Sequence, residues 1–407
     1  MPAITSERVL ETGRETTNRA VALVQWVLAR SPVVPGRAPT SADDVTAEFL
    51  TSVFAGSGPP GTVTAADQAT VAAVEGIEQV GETRGTTNRR RLKLTWNPAG
   101  RDAGLPERVF VKSTSTSARN RTQVASLDMA VNESKFYSTA RNDLGDVAPV
   151  AYYSTAGLGG RFLLLLEDLW EADHPPFKGP GEAVEFCRAM MSTLAELHAT
   201  FWESPRFHTD LSWAKTMTQR KGFPIMRGWF RRSRAKLYEE AADYGLPSEI
   251  QRLAKVLNDH DRELYKVFER GPLTLLHGDC HLGNTYRLPD RRAGLLDWQC
   301  MFRGPHMREV IYHLSSALLT PDRRNHEEEL VGFYLDELRA RGAPAPSFDD
   351  AWDQYRFYAW DVWDANAMTT LWPGLQPEHH IEKTLKHASE AIVDLDTLKM
   401  IDRTLNG

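Results

Sequence analysis

Cysteine is scarce in this chain: 407 residues hold three, Cys187, Cys280 and Cys300. That number builds no disulfide framework, so an apolar core must hold the fold, and the thiols fit a reducing, cytoplasmic setting. No stretch reaches 18 consecutive apolar residues, so no membrane span is expected. The first eight residues, Met1 to Arg8, lack an apolar segment, so no secretory signal is expected either. Positive charge is not in excess: 48 Lys and Arg against 54 Asp and Glu leave −6, no footprint for nucleic acid or an anionic membrane. Repeats and low-complexity tracts are missing as well. What remains, 42% hydrophobic and 25% charged, is ordinary globular composition. The length suits two lobes and an extension.

The most informative stretch is HGDCHLGN, residues 277–284, followed by GLLDWQ, residues 294–299. Asn284 stands five positions after Asp279, and Asp297 stands 13 after Asn284. These are the intervals of the catalytic loop and the following metal-binding aspartate of protein kinases, and they point to phosphoryl transfer. An attacking alcohol needs a carboxylate to align it and take its proton, the part expected of Asp279. Charge on the phosphate oxygens calls for Mg²⁺, a cation that prefers hard oxygen ligands, here the Asn284 amide oxygen and the Asp297 carboxylate. His277 is expected to hold the turn. Two other readings stay open: a kinase-like scaffold that binds nucleotide without turnover, and a zinc hydrolase using His277, Asp279 and His281.

The phosphoryl-transfer reading makes a demand upstream: a strand lysine to neutralise nucleotide phosphates and a helix glutamate to hold it. Glu107-Arg108-Val109-Phe110-Val111-Lys112 reads as that strand, and a helical pattern over Ala125–Thr139 contains Glu133. Lys112 with Glu133 is the expected ion pair. Further upstream, Val74–Val80 and Arg89–Trp96 read as strands around a glycine-containing turn, whose Gly85, Thr86 and Thr87 are candidates to cover the phosphates. Arg89, Arg90 and Arg91 either add charge near those phosphates or protect an edge strand.

Taken together, VFVK ending at Lys112, NESKFY around Glu133, LLLLEDL at 163–169, LAELHATFW at 194–202, HGDCHLGN and LLDWQ make the chain similar to the aminoglycoside phosphotransferase and choline kinase superfamily, nearest to its ecdysteroid kinase-like branch. The resemblance implies an α+β, bilobal, protein-kinase-like fold, with a small N-lobe built on an antiparallel sheet and a larger, mostly helical C-lobe. It implies an enzyme that uses ATP and Mg²⁺ to phosphorylate a hydroxyl of a small molecule. By the same resemblance Leu166–Leu169 connects the lobes, with Glu167 and Leu169 beside the adenine edge. The acceptor would lie near Trp298, Trp360, Asp361, Trp363, Asp364 and Trp372, where ring faces and carboxylates could hold a cationic amine or line an apolar slot for a bulkier alcohol. The chain departs from the family at the helix after DWQ, where an aspartate is usual and Glu309 stands near its place.

The expected division is a helical extension over 1–39, a nucleotide-binding lobe over 40–166, and a lobe with the catalytic loop, metal site and acceptor helices over 167–407. Ser41–Asp44 reads as a capping box before a helix over 45–50. The extension reads as a docking element or dimer contact, in a monomer or homodimer.

Overall fold

The computed structural model describes Ala20, residues 23–24, 27–29, 39–57, 72–169, 183–371 and 378–406. Most of the helical extension expected over 1–39, and Trp372, lie outside the described residues. The chain forms two compact units, Met1–Trp170 with Lys221–Ile225, and Glu171–Arg220 with Met226–Gly407. The α+β class is as expected: the first unit carries an antiparallel five-stranded sheet, the second is mostly helical.

The sheet follows the order β1-β2-β3-β5-β4, with β1 Val74–Arg84, β2 Asn88–Trp96, β3 Arg108–Ser113, β4 Ala151–Ala156 and β5 Phe162–Glu167. Alternation decides its faces. Leu92, Leu94, Val109, Val111, Leu163 and Leu165 point into one core, closed by Leu50 of helix α1 (Ala47–Ser52) and by Phe54, and a short helix α2 (Pro98–Asp102) follows β2. Phe54 meets Trp96 edge-on with ring centroids 5.2 Å apart. On the opposite face, Lys112 looks towards helix α4 (Met129–Thr139).

Three local expectations shift. The first hairpin is longer than read, because cross-strand pairs such as Glu82 with Arg90 carry the ladder on to Arg84 and Asn88, leaving only residues 85–87 as the turn. The Ser41–Asp44 capping box exists but closes a single 3₁₀ turn, while α1 starts afresh with Thr46 Oγ1 accepting from Phe49 N. The helix expected over Ala125–Thr139 is two, α3 (Ala118–Ser126) and α4, because Asp128 takes a left-handed conformation at φ 54°.

In the second unit, helix α5 (Ala183–Thr200) buries Phe186, Met190, Leu194 and Leu197 at helical spacing. The helices that follow are α6 (Phe223–Glu240), α7 (Glu249–Val267), α8 (Met307–Ala317), α9 (Thr320–Ala340), α10 (Phe348–Thr369), α11 (Glu378–Asp394) and α12 (Thr397–Asn406), with α8 and α9 packed on α5. Two short antiparallel ribbons lie among them: β6 (Thr274–Leu276) with β9 (Phe302–Gly304), and β7 (Thr285–Arg287) with β8 (Ala293–Leu295). Among the described residues no helix is long and apolar enough to cross a membrane.

Charge is buried in pairs here. Arg234 Nε donates to Asp364 Oδ1 at 2.8 Å, with both side chains 0% exposed and Tyr265 adding its hydroxyl. Arg308 Nε donates to Asp361 Oδ2 at 2.7 Å. Removing one partner of such a pair strands the other charge. Asp364→Ala is expected to cost about 3–5 kcal/mol in denaturant unfolding, and Arg234→Met with Asp364→Leu to recover most of it. Equal losses in both variants would count against the pairing as the cause.

Candidate active site

The loop at 277–284 leaves β6 and is held from below by one face of α8. Glu309 accepts from His277 N at 2.9 Å and from Gly278 N at 2.6 Å. Arg308 Nη1 donates to the Gly278 carbonyl at 3.0 Å, and His313 Nδ1 donates to the Cys280 carbonyl at 2.8 Å. Tyr312 donates its hydroxyl hydrogen to Asp279 Oδ1 at 2.7 Å. Positions 308, 309, 312 and 313 share a face because a helix repeats every 3.6 residues. At Gly278 the backbone φ is +85°, and an added Cβ would overlap the Cys300 carbonyl, so only glycine fits.

Burial pushes the Glu309 carboxyl up, but His198, His277 and the Gly278 N–H outweigh it and hold the group below its ordinary range. Behind it, His198 Nε2 reaches Glu309 at 3.2 Å, and Tyr334 joins His198 to His306. Burial keeps the His277 pKa down against the pull of Glu309 and Asp279. His277 Nδ1 accepts from Asp279 N, and Nε2 donates to the Leu296 carbonyl at 2.8 Å. Both ring nitrogens are therefore spent on protein partners. Among the described residues no three His, Cys, Asp or Glu side chains are grouped to hold a metal ion, which leaves the His277, Asp279, His281 zinc set without support.

The β7–β8 ribbon explains how Asn284 and Asp297 come to one end. Thr285 pairs with Leu295, and Leu296 N donates to the Asn284 carbonyl at 2.8 Å, so the residues flanking the two strands emerge side by side. Asn284 Nδ2 donates to Asp279 O at 2.9 Å and to Asp279 Oδ2 at 3.2 Å. Its amide nitrogen is thus committed to Asp279, leaving Oδ1 as the atom for a hard cation. Asp297, half-buried, is left-handed at φ 63°, a conformation that aspartate adopts more readily than most non-glycine residues. An amide oxygen and a carboxylate leave room for waters and phosphate oxygens, which fits Mg²⁺.

In the first unit, Lys112 Nζ lies 2.8 Å from Glu133 Oε1 and 2.6 Å from Oε2, both residues buried. At the hairpin tip Gly85 is exposed and its carbonyl accepts from Asn120 Nδ2 at 2.6 Å. Thr86 is half-buried; Thr87 is buried, and its hydroxyl has no hydrogen-bond partner among the described residues. Glu167 is tied to the start of β4, its N donating to the Val150 carbonyl and its Oε2 accepting from Val150 N. The Leu169 carbonyl accepts from Arg91 at 3.4 Å.

The acceptor candidates sit differently. Trp298 is buried, donates to the Leu295 carbonyl and meets the His277 ring edge-on at 4.7 Å. Trp360 is buried among Tyr265, Phe268 and Phe357. Trp363 donates to Ser389, and Asp361 and Asp364 are the partners of Arg308 and Arg234. None of the five is presented at an open surface. A cleft of about 810 Å³ in this unit is lined by Tyr244, Thr320, Arg324, Lys383 and His387 among others, and includes none of the residues read as site residues. Sequence reading missed Tyr312, Arg308 and His313; their spacing on one side of the helix that carries Glu309 was the available signal.

Residues 106–358 match the family model described as the phosphotransferase enzyme family. No curated protein matches the chain. Among solved structures, the macrolide 2'-phosphotransferase of Brachybacterium faecium is 13% identical, with 78% of this chain and 94% of that one covered and a TM-score of 0.43. The choline kinase of Streptococcus pneumoniae is 14% identical, covering 79% and 94%, TM-score 0.43. A spectinomycin phosphotransferase in complex with ADP and spectinomycin is 10% identical, covering 87% and 99%, TM-score 0.46.

Two outcomes follow from the loop. Gly278→Ala should lose at least about 2 kcal/mol of stability by thermal or denaturant unfolding, from the left-handed φ and the overlap with Cys300. His306, pushed by burial down to about 3, stays neutral in the fold while its unfolded counterpart takes a proton near pH 6.5. Stability should therefore fall as pH drops below about 6.5, by about 1.4 kcal/mol per pH unit from this group. His306→Gln should flatten that part of the profile; an unchanged slope would show that the proton uptake lies elsewhere.

Proposed function

This chain belongs to the phosphotransferase enzyme family, and we propose that it moves the γ-phosphate of ATP, with Mg²⁺, to a hydroxyl of a small molecule, using Asp279 as base. The observation that carries the proposal is the arrangement around Asp279: half-buried, fixed on one oxygen by Tyr312 and on the other by Asn284, with Asp297 at the same end of the ribbon as Asn284. The family match contains both this loop and the Lys112–Glu133 pair.

In this reading Asp279 orients the acceptor hydroxyl and takes its proton as the oxygen attacks the γ-phosphorus. The new O–P bond forms as the bond to the β-phosphate oxygen breaks, and ADP leaves. Each carboxylate oxygen has lone pairs beyond the one it gives to Tyr312 or Asn284, so an acceptor hydroxyl can still be bound. Asn284 Oδ1 and the Asp297 carboxylate would hold Mg²⁺, whose charge offsets that of the phosphate oxygens. Lys112, kept in place by Glu133, supplies positive charge to the nucleotide phosphates, with Gly85, Thr86 and Thr87 covering them. Likeness to the ecdysteroid kinase-like branch favours a bulky alcohol as acceptor.

Asp279→Ala should lower turnover by ~10²-fold or more while leaving ATP affinity near wild type, measured over a pooled panel of alcohols. Asp297→Ala should weaken Mg-ATP binding by calorimetry. Full turnover in the first variant would reject Asp279 as base, and a wild-type chain that binds Mg-ATP yet consumes none over the panel would favour the non-catalytic scaffold.

A further inference from the structure

His281 stands two residues after Asp279, and neither the base nor the expected Mg²⁺ ligands call on it. Its backbone opens the short 3₁₀ turn Leu282–Asn284, and its Nδ1 accepts from Gly283 N at 3.0 Å. An added Cβ at Gly283 would stand 2.8 Å from His281 Cε1, so the glycine makes room for the ring. Because Nδ1 acts as an acceptor, the ring hydrogen of neutral His281 sits on Nε2. That nitrogen lies 3.8 Å from Asp279 Oδ2.

A separation of 3.8 Å is too long for a direct hydrogen bond and suits one oxygen atom placed between the two groups. Tyr312 holds Asp279 Oδ1, while Oδ2 keeps a lone pair beside its 3.2 Å contact with Asn284. The His281 and Asp279 side chains are 41% and 29% exposed, so a ligand can reach the space between them. Together they offer what a hydroxyl group requires: an acceptor for its hydrogen and a donor for its oxygen. An ammonium group cannot fill the same place, since it has no lone pair to receive the Nε2 hydrogen.

We propose that His281 is a catalytic residue whose Nε2–H binds the oxygen of the acceptor hydroxyl while Asp279 Oδ2 takes that hydroxyl's hydrogen. The inference rests on the phosphotransferase reading with Asp279 as base. In the transfer the proton passes to Asp279 Oδ2, the oxygen forms its bond to the γ-phosphorus, and the bond to the β-phosphate oxygen breaks, releasing ADP. His281 keeps its own hydrogen throughout and steadies negative charge on the attacking oxygen.

The test uses the full chain with Mg-ATP and follows ADP release with choline, spectinomycin, a polyhydroxylated sterol or water as acceptor, taking the fastest forward. Asparagine reproduces the Nδ1 side of the ring, and glutamine the Nε2 side. His281→Asn keeps an acceptor for Gly283 N but loses the donor, and should lower kcat/KM for the acceptor by about ten-fold or more. His281→Gln should recover most of that loss, and calorimetry should give both variants a Mg-ATP affinity near wild type. Wild-type turnover in His281→Asn, or a His281→Gln variant no better than it, overturns the hydroxyl contact while leaving the phosphotransferase reading standing. A loss of Mg-ATP affinity that accounts for the loss of turnover overturns it as well. A wild-type chain that releases ADP with none of these acceptors overturns both.

Discussion

A single buried carboxylate sets the geometry on which the candidate site depends. Glu309 receives the N–H groups of His277 and Gly278, two consecutive donors of a loop that has left its strand and would otherwise lack partners. Buried N–H groups without acceptors are costly, and a carboxylate taking two of them is strongly favoured over a neutral acceptor. The charge is in turn held by His198, and the chain of contacts continues through Tyr334 to His306. Asp279 is therefore placed by a continuous set of buried polar groups, with only its own end left half open.

The same economy recurs through the helical unit. Arg308 serves the Gly278 carbonyl and Asp361, linking the loop to α10. Arg234 and Asp364 tie α6 to the same helix. These pairs sit among large aromatic rings, where an unpaired charge is not tolerated. In the sheet unit, Lys112 with Glu133 follows the same rule.

Much of this was legible in the chain, and the reason is locality. The loop and the ribbon lie within 21 consecutive residues, so spacing alone put Asp279, Asn284 and Asp297 in sequence order with a turn and a strand between them. The β-branched and aromatic run VFVK and the apolar run LLLLE marked two strands, and the resemblance implied the α+β class. What escaped the reading is non-local. Trp360, Asp361 and Asp364 looked like aromatic and acidic acceptor contacts, but the arginines paired with the two acids lie 53 and 130 residues away. Arg91 gave two readings because its partner Asp168 is 77 residues on. Boundaries moved where a single backbone conformation decided them, as at Asp128.

The face of α8 that grips the loop has a consequence for how this chain can change over time. Substituting one of its four gripping side chains removes only that residue's own bonds to the loop. A single residue inserted or deleted near the start of that helix would instead turn everything beyond it by about 100°, swinging the gripping side chains away together. Length is thus constrained in this segment along with identity.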